Sequence, residues 1–124
     1  MLIRYSPPND LEIAASEHEL HQIARAIREG NEREFASQQG FDPTPYETAL
    51  SALEIVIGSG PAEVSIRGSA VRLCGSRDSH EGLASFFEAA AGSDHVHFEW
   101  FPGNDFVAET SVPLVIALEP DPRI

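Results

Sequence analysis

Alternation of apolar and polar positions is sharpest in AEVSIRGSAVRLCGS. With Gly68-Ser69 as a two-residue turn, glycine first as a type II′ turn requires, Ile66 falls opposite Val71 and Val64 opposite Leu73. Ser65 then meets Arg72 on the other face, so register and alternation agree. Upstream, ALEIVIGSGPAEV continues the pattern. A loop over 58–61 sets Ile55 opposite Val64 and Leu53 opposite Ile66, which predicts a three-stranded meander. A five-residue loop in LIRYSPPNDLEIAAS likewise puts Tyr5 opposite Leu11 and Ile3 opposite Ile13.

The period changes in two segments. In SEHELHQIARAIREG, Ser16 and Glu19 form a capping-box pattern, and Leu20, Ile23, Ala24 and Ile27 follow helical spacing. Gly30 stands where a left-handed cap ends a helix. In DSHEGLASFFEAAAG, Asp78 and Glu81 repeat the capping logic. Leu83, Phe86, Phe87 and Ala90 make the stripe, and Gly92 stops it. One apolar stripe on each helix must be buried, and a sheet is the available cover.

The two halves rhyme as strand-strand-helix-strand, with VPLVIAL added as a seventh strand. The expected fold is one α+β domain over 1–124. It is two-layered, with a mostly antiparallel sheet of about six or seven strands, two helices on one face and a candidate internal repeat. Residues 31–49 are the least legible and read as a continuation of the first helix after a break at Gly30, then a loop through Pro43 and Pro45. Pro113 removes a ladder donor and marks the last strand as an edge. The tail EPDPRI is expected to fray.

Composition narrows the functional classes. Twenty acids against eight bases, all of them arginine, give a net charge of −12. Such a surface repels nucleic acid and anionic membrane and attracts basic partners. No apolar run reaches the roughly 18 residues that span a bilayer. Pro7 and Pro8 interrupt any signal-peptide core, so a cytoplasmic location is expected. The single Cys74 leaves no intrachain disulfide and suits a reducing compartment.

Candidate chemistry centres on SDHVHFEWFPGNDF. On a strand, Val96, Phe98 and Trp100 point one way and His95, His97 and Glu99 the other. A His-x-His pair can chelate a divalent ion, but Cys74, Glu54 or Glu63 would have to complete the set. Neither a resident metal nor any other cofactor is expected. His18 and His21 fall on the exposed side of the first helix, and His80 reads as a surface residue. No nucleophile sits in a strand-elbow-helix context, so no enzyme is expected.

What remains is surface. The register gives the sheet a polar, acidic face holding Arg4, Glu12, Glu54, Val56, Glu63, Ser65, Arg67, Arg72, Cys74, His95, His97 and Glu99. Beside it, Phe101, Asp105 and Phe106 gather aromatic and acidic groups at a turn, as interfaces do. The residues leave open whether Phe101 and Phe106 anchor a partner or fold back into the core, and slightly favour the core.

The strand ending in Gly75-Ser76, the helix opening EGL, the His-x-His strand and the final SVPLVI together resemble the immunity protein 32 family of bacterial polymorphic toxin systems. The likeness spans about residues 62–118. It implies a cytoplasmic protein that binds and blocks a toxin domain, without catalytic residues, and whose histidines are structural or interfacial. The expected partner is a basic toxin domain, met through Glu54, Glu63, His95, His97, Glu99, Phe101, Asp105 and Phe106. Two other classes stay open: a small metal-dependent enzyme built on His95, His97 and Glu99, and a homodimeric assembly module.

Overall fold

In the computed structural model, which describes residues 1–119, strands and helices follow in the order β1 (Leu2–Ser6), β2 (Asp10–Ala15), α1 (Glu17–Glu29), β3 (Arg33–Ala36), β4 (Thr48–Ala49), β5 (Ala52–Ile57), β6 (Glu63–Arg67), β7 (Ala70–Gly75), α2 (Arg77–Ala91), β8 (His95–Phe98) and β9 (Leu114–Leu118). All of the expected fraying tail except Glu119 lies outside the described residues.

Both hairpins keep their expected registers. Ile66 faces Val71 and Val64 faces Leu73 across β6–β7, and Ile3 faces Ile13 and Tyr5 faces Leu11 across β1–β2. The class is α+β, but the strands form two mixed sheets instead of one mostly antiparallel sheet. Their orders are β4-β1-β2-β9-β8 and β3-β5-β7-β6. The expected meander fails for the same reason. β5 pairs with β7 in parallel, Leu53 beside Val71 and Ile55 beside Leu73, and β6 lies on the far side of β7. Alternation with period two says which face a residue takes and is silent about which strand lies alongside.

The repeat is real at the level of topology and one strand longer than the sequence suggests. β1-β2-α1-β3-β5 and β6-β7-α2-β8-β9 have the same order of elements, with β4 as an extra. The halves exchange partners. β2 runs parallel to β9, with Leu11 beside Leu114 and Ile13 beside Ile116, while β7 runs parallel to β5. Each sheet therefore joins the opening hairpin of one half to the closing strand pair of the other.

Local chemistry sets the helix ends. The Ser16 hydroxyl accepts from Glu19 N–H, and the Glu19 carboxylate accepts from Ser16 N–H, completing the capping box. Gly30 ends α1 at φ 73°, so the helix does not extend and β3 follows instead. The cap of α2 is Ser76 and not Asp78, because the chain turns directly off β7 and the Ser76 hydroxyl accepts from Ser79 N–H. A side chain at Gly75 would meet the Ala62 backbone at 2.9 Å, so this crossing needs glycine.

The helices pack against each other, and α2 also touches β7, β8 and β9, so it spans both sheets. Leu20, Ile23 and Ile27 of α1 and Leu83 and Phe87 of α2 share one apolar cluster with Ile13, Leu53, Ile55, Leu73 and Ile116. β9 is central, not an edge. Pro113 precedes Leu114, the first paired residue, and its missing donor falls outside the ladder.

Ile13→Ala and Ile116→Ala, at the fully buried parallel pairing, should each cost about 2–5 kcal/mol in denaturant unfolding. Val115→Ala, on the half-exposed face, should cost less than half as much.

Candidate functional site: an aromatic loop against the second helix

Residues 99–113, which join β8 to β9, are held by hydrogen bonds along the outer edge of β6. Ala62 N–H donates to the Phe106 carbonyl at 2.7 Å, Ala108 N–H to the Ala62 carbonyl at 2.8 Å, and Val112 N–H to the Val64 carbonyl at 2.8 Å. The Ser111 hydroxyl accepts from Val64 N–H at 2.8 Å, and the Thr110 hydroxyl donates to the Glu63 carboxylate. At the tip, Pro102 and Gly103 occupy the centre of a turn closed by Asn104 N–H to the Phe101 carbonyl at 3.0 Å. Gly103 has φ 91°, as the third position of a type II turn demands.

Among the described residues, the exposed large apolar side chains are Phe86, Phe101 and Phe106, at 38%, 58% and 61%. Phe101 and Phe106 do not fold back into the core. Phe106 lies over Gly82 of α2, where an added Cβ would sit 4.0 Å from its ring. One helical turn on, Phe86 stands edge-to-face with buried Phe98 at 5.1 Å. Helix and loop thus each present an exposed phenylalanine, Phe86 and Phe106, with Gly82 and Phe86 one helical turn apart. Phe101 stands at the loop tip, and Glu99, Asp105 and Glu109 are exposed along the same loop.

The eight residues expected to meet a partner do not share one sheet face. His95 and His97 lie on β8 with their rings 5.2 Å apart. Glu99, Phe101, Asp105 and Phe106 belong to the loop that follows. Glu63, on the other sheet, borders this group through Thr110. Glu54 sits apart, its carboxylate held by Arg72 at 3.2 Å. The wider polar face divides in the same way: Arg4 and Glu12 join the histidines on the first sheet, and Val56, Ser65, Arg67, Arg72 and Cys74 join Glu54 and Glu63 on the second. Among the described residues, no three His, Cys, Asp or Glu side chains converge as metal ligands.

This loop, with β8 before it and α2 beneath it, lies inside the part of the chain that is recognisable by comparison. Residues 70–119 match the immunity protein 32 family. No curated protein and no solved structure matches the chain. The immunity-family segment contains β7, α2, β8 and β9 and therefore reaches into both sheets. No described helix is long and apolar enough to cross a membrane.

Sequence reasoning missed two features here. Phe86 counts into the α2 stripe, yet adjacent Phe86 and Phe87 point about 100° apart, and Phe87 takes the core. His80 is no surface residue. It is 1% exposed, and among the described residues neither ring nitrogen has a hydrogen-bond partner. Its position one turn into α2, beside Gly75 and the close-packed Ala62, encloses it.

Burial pushes the His80 pKa below its ordinary value of 6.5. The unfolded chain therefore binds a proton at mildly acidic pH that the fold excludes. The resulting expectation is stability that is constant above about pH 6.5 and falls as pH drops below it. Unfolding midpoints measured across pH 5–8 should show this decline in the wild type, and His80→Leu should flatten it.

Proposed function

We propose that this chain is a cytoplasmic immunity protein, acting as one domain, that binds a basic toxin domain and blocks it. The observation that carries the reading is the exposed aromatic surface on a pinned loop inside the immunity-family segment. Exposed phenylalanines on a mobile loop would lose entropy on binding. Here backbone bonds to β6 hold the loop in place before any partner arrives, which favours affinity. Phe86, Phe101 and Phe106 are the anchors, and His95, His97, Glu63, Glu99 and Asp105 form the polar rim. Glu54 acts only through the field of the −12 chain, which speeds capture of a basic partner. No enzymatic role is assigned to the histidine pair.

Among the described residues the outer edge of β8 is unpaired, which supports a second reading, self-association through that edge. A mass that rises with protein concentration and returns to monomer in a His97→Pro variant would favour it over toxin capture.

Co-expression with any toxin domain found encoded beside this gene tests the main reading: growth should be restored, and no rescue would refute it. In binding kinetics, Phe106→Ala should accelerate dissociation by roughly tenfold. Replacing Glu99, Asp105 and Glu109 with glutamine should instead slow association several-fold at low salt, with a smaller effect at physiological ionic strength.

A further inference from the structure

At the end of the first sheet, where β2 and β9 begin and β8 ends, lies a groove of about 320 Å³. Asp10 opens β2, Tyr46 belongs to the 37–51 connection, His97 and Glu99 to β8 and the residue after it, and Pro113 and Val115 to the entry and start of β9. Four segments distant in sequence thus build one concavity. We propose that this groove receives an arginine side chain of the partner protein, beside the aromatic surface. This deepens the toxin-binding reading and rests on it.

The lining suits that occupant part by part. Pro113 and Val115 offer apolar surface for the aliphatic stem. Asp10 and Glu99 offer carboxylates, and among the described residues neither is in an ion pair, although Arg4, Arg28 and Arg72 are each engaged by glutamate. Charge-assisted hydrogen bonds from a guanidinium to carboxylates are the strong class of such contacts. The Tyr46 ring supplies a π face. It already carries the Arg4 guanidinium at 4.6 Å, and Glu12 neutralises that charge by pairing with Arg4. The Tyr46 pKa is raised, first by burial and then by Glu12 and Asp10, while Arg4 opposes the shift. Groove and anchors adjoin along the chain: Glu99 lines the groove and exposed Phe101 follows two residues later.

The test needs no toxin. Nα-acetyl-arginine N-methylamide, titrated into isotope-labelled protein at low salt, should produce saturable shifts centred on Asp10, Tyr46, His97 and Glu99. The Asp10→Asn/Glu99→Gln variant should lose at least tenfold in affinity. Tyr46→Leu should weaken binding and Tyr46→Phe should retain it, which separates the ring face from the hydroxyl. A control with equal charge loss on the β3 side, Glu32→Gln/Glu34→Gln, should bind as wild type does. Shifts scattered over all carboxylates, or equal losses in both double variants, would overturn the groove and leave only diffuse attraction. Against the toxin itself, wild-type affinity in Asp10→Asn/Glu99→Gln would also overturn it while leaving the inhibitor reading intact. Toxin that binds no form of the protein would defeat the inhibitor reading, and the arginine titration would still decide the groove.

Discussion

Two parallel strand pairings, β2 with β9 and β5 with β7, hold this molecule together. Each joins a strand of one half to a strand of the other, and each is apolar on the buried face: Ile13 beside Ile116, Ile55 beside Leu73. Without them the halves fall into two-stranded ribbons, extended in the first half only by the two-residue β4, and such ribbons are marginal in water. The helices sit over the joint, with α2 reaching both sheets. The exchange also explains why a family match confined to 70–119 touches both sheets while completing neither.

Each sheet has strand edges that need covering, and the two long connections cover one edge apiece. Residues 37–51 lay β4 along β1 before entering β5. Residues 99–113 lie along β6 before entering β9. Equivalent roles have produced different surfaces. The first connection carries Tyr46 to the groove, and the second carries Phe101 and Phe106 to solvent. A single loop thus protects an edge and displays aromatic side chains, and its rigidity serves both roles.

Local features were legible and long-range ones were not. The β1–β2 and β6–β7 registers, the Ser16 capping box and the Gly30 stop all follow from residues a few positions apart, where turn and capping chemistry act. The division into two sheets was hidden because Leu53 and Ile55 present the same face to β7 as they would to β6. β3 escaped notice because REFA is short and charged, with only Phe35 half-buried. Of the site, the loop aromatics and β8 polar residues could be read, but not their exposure. Asp10 and Tyr46 could not, since only the folded chain brings them to His97 and Glu99. His80 was misread because its burial comes from Ala62 and Gly75, not from helical periodicity.

The pairing of β2 with β9 has a consequence for synthesis. β2 spans residues 10–15, yet its parallel partner spans 114–118. While the ribosome is still extending the chain, the first hairpin and α1 emerge with an apolar face and no strand to close it. The pairing cannot form before β9 is made, and closing so long a loop then slows it further. Folding must therefore wait until residues 114–118 clear the exit tunnel, and the nascent chain depends on its high negative charge, or on a chaperone, to remain unaggregated until then.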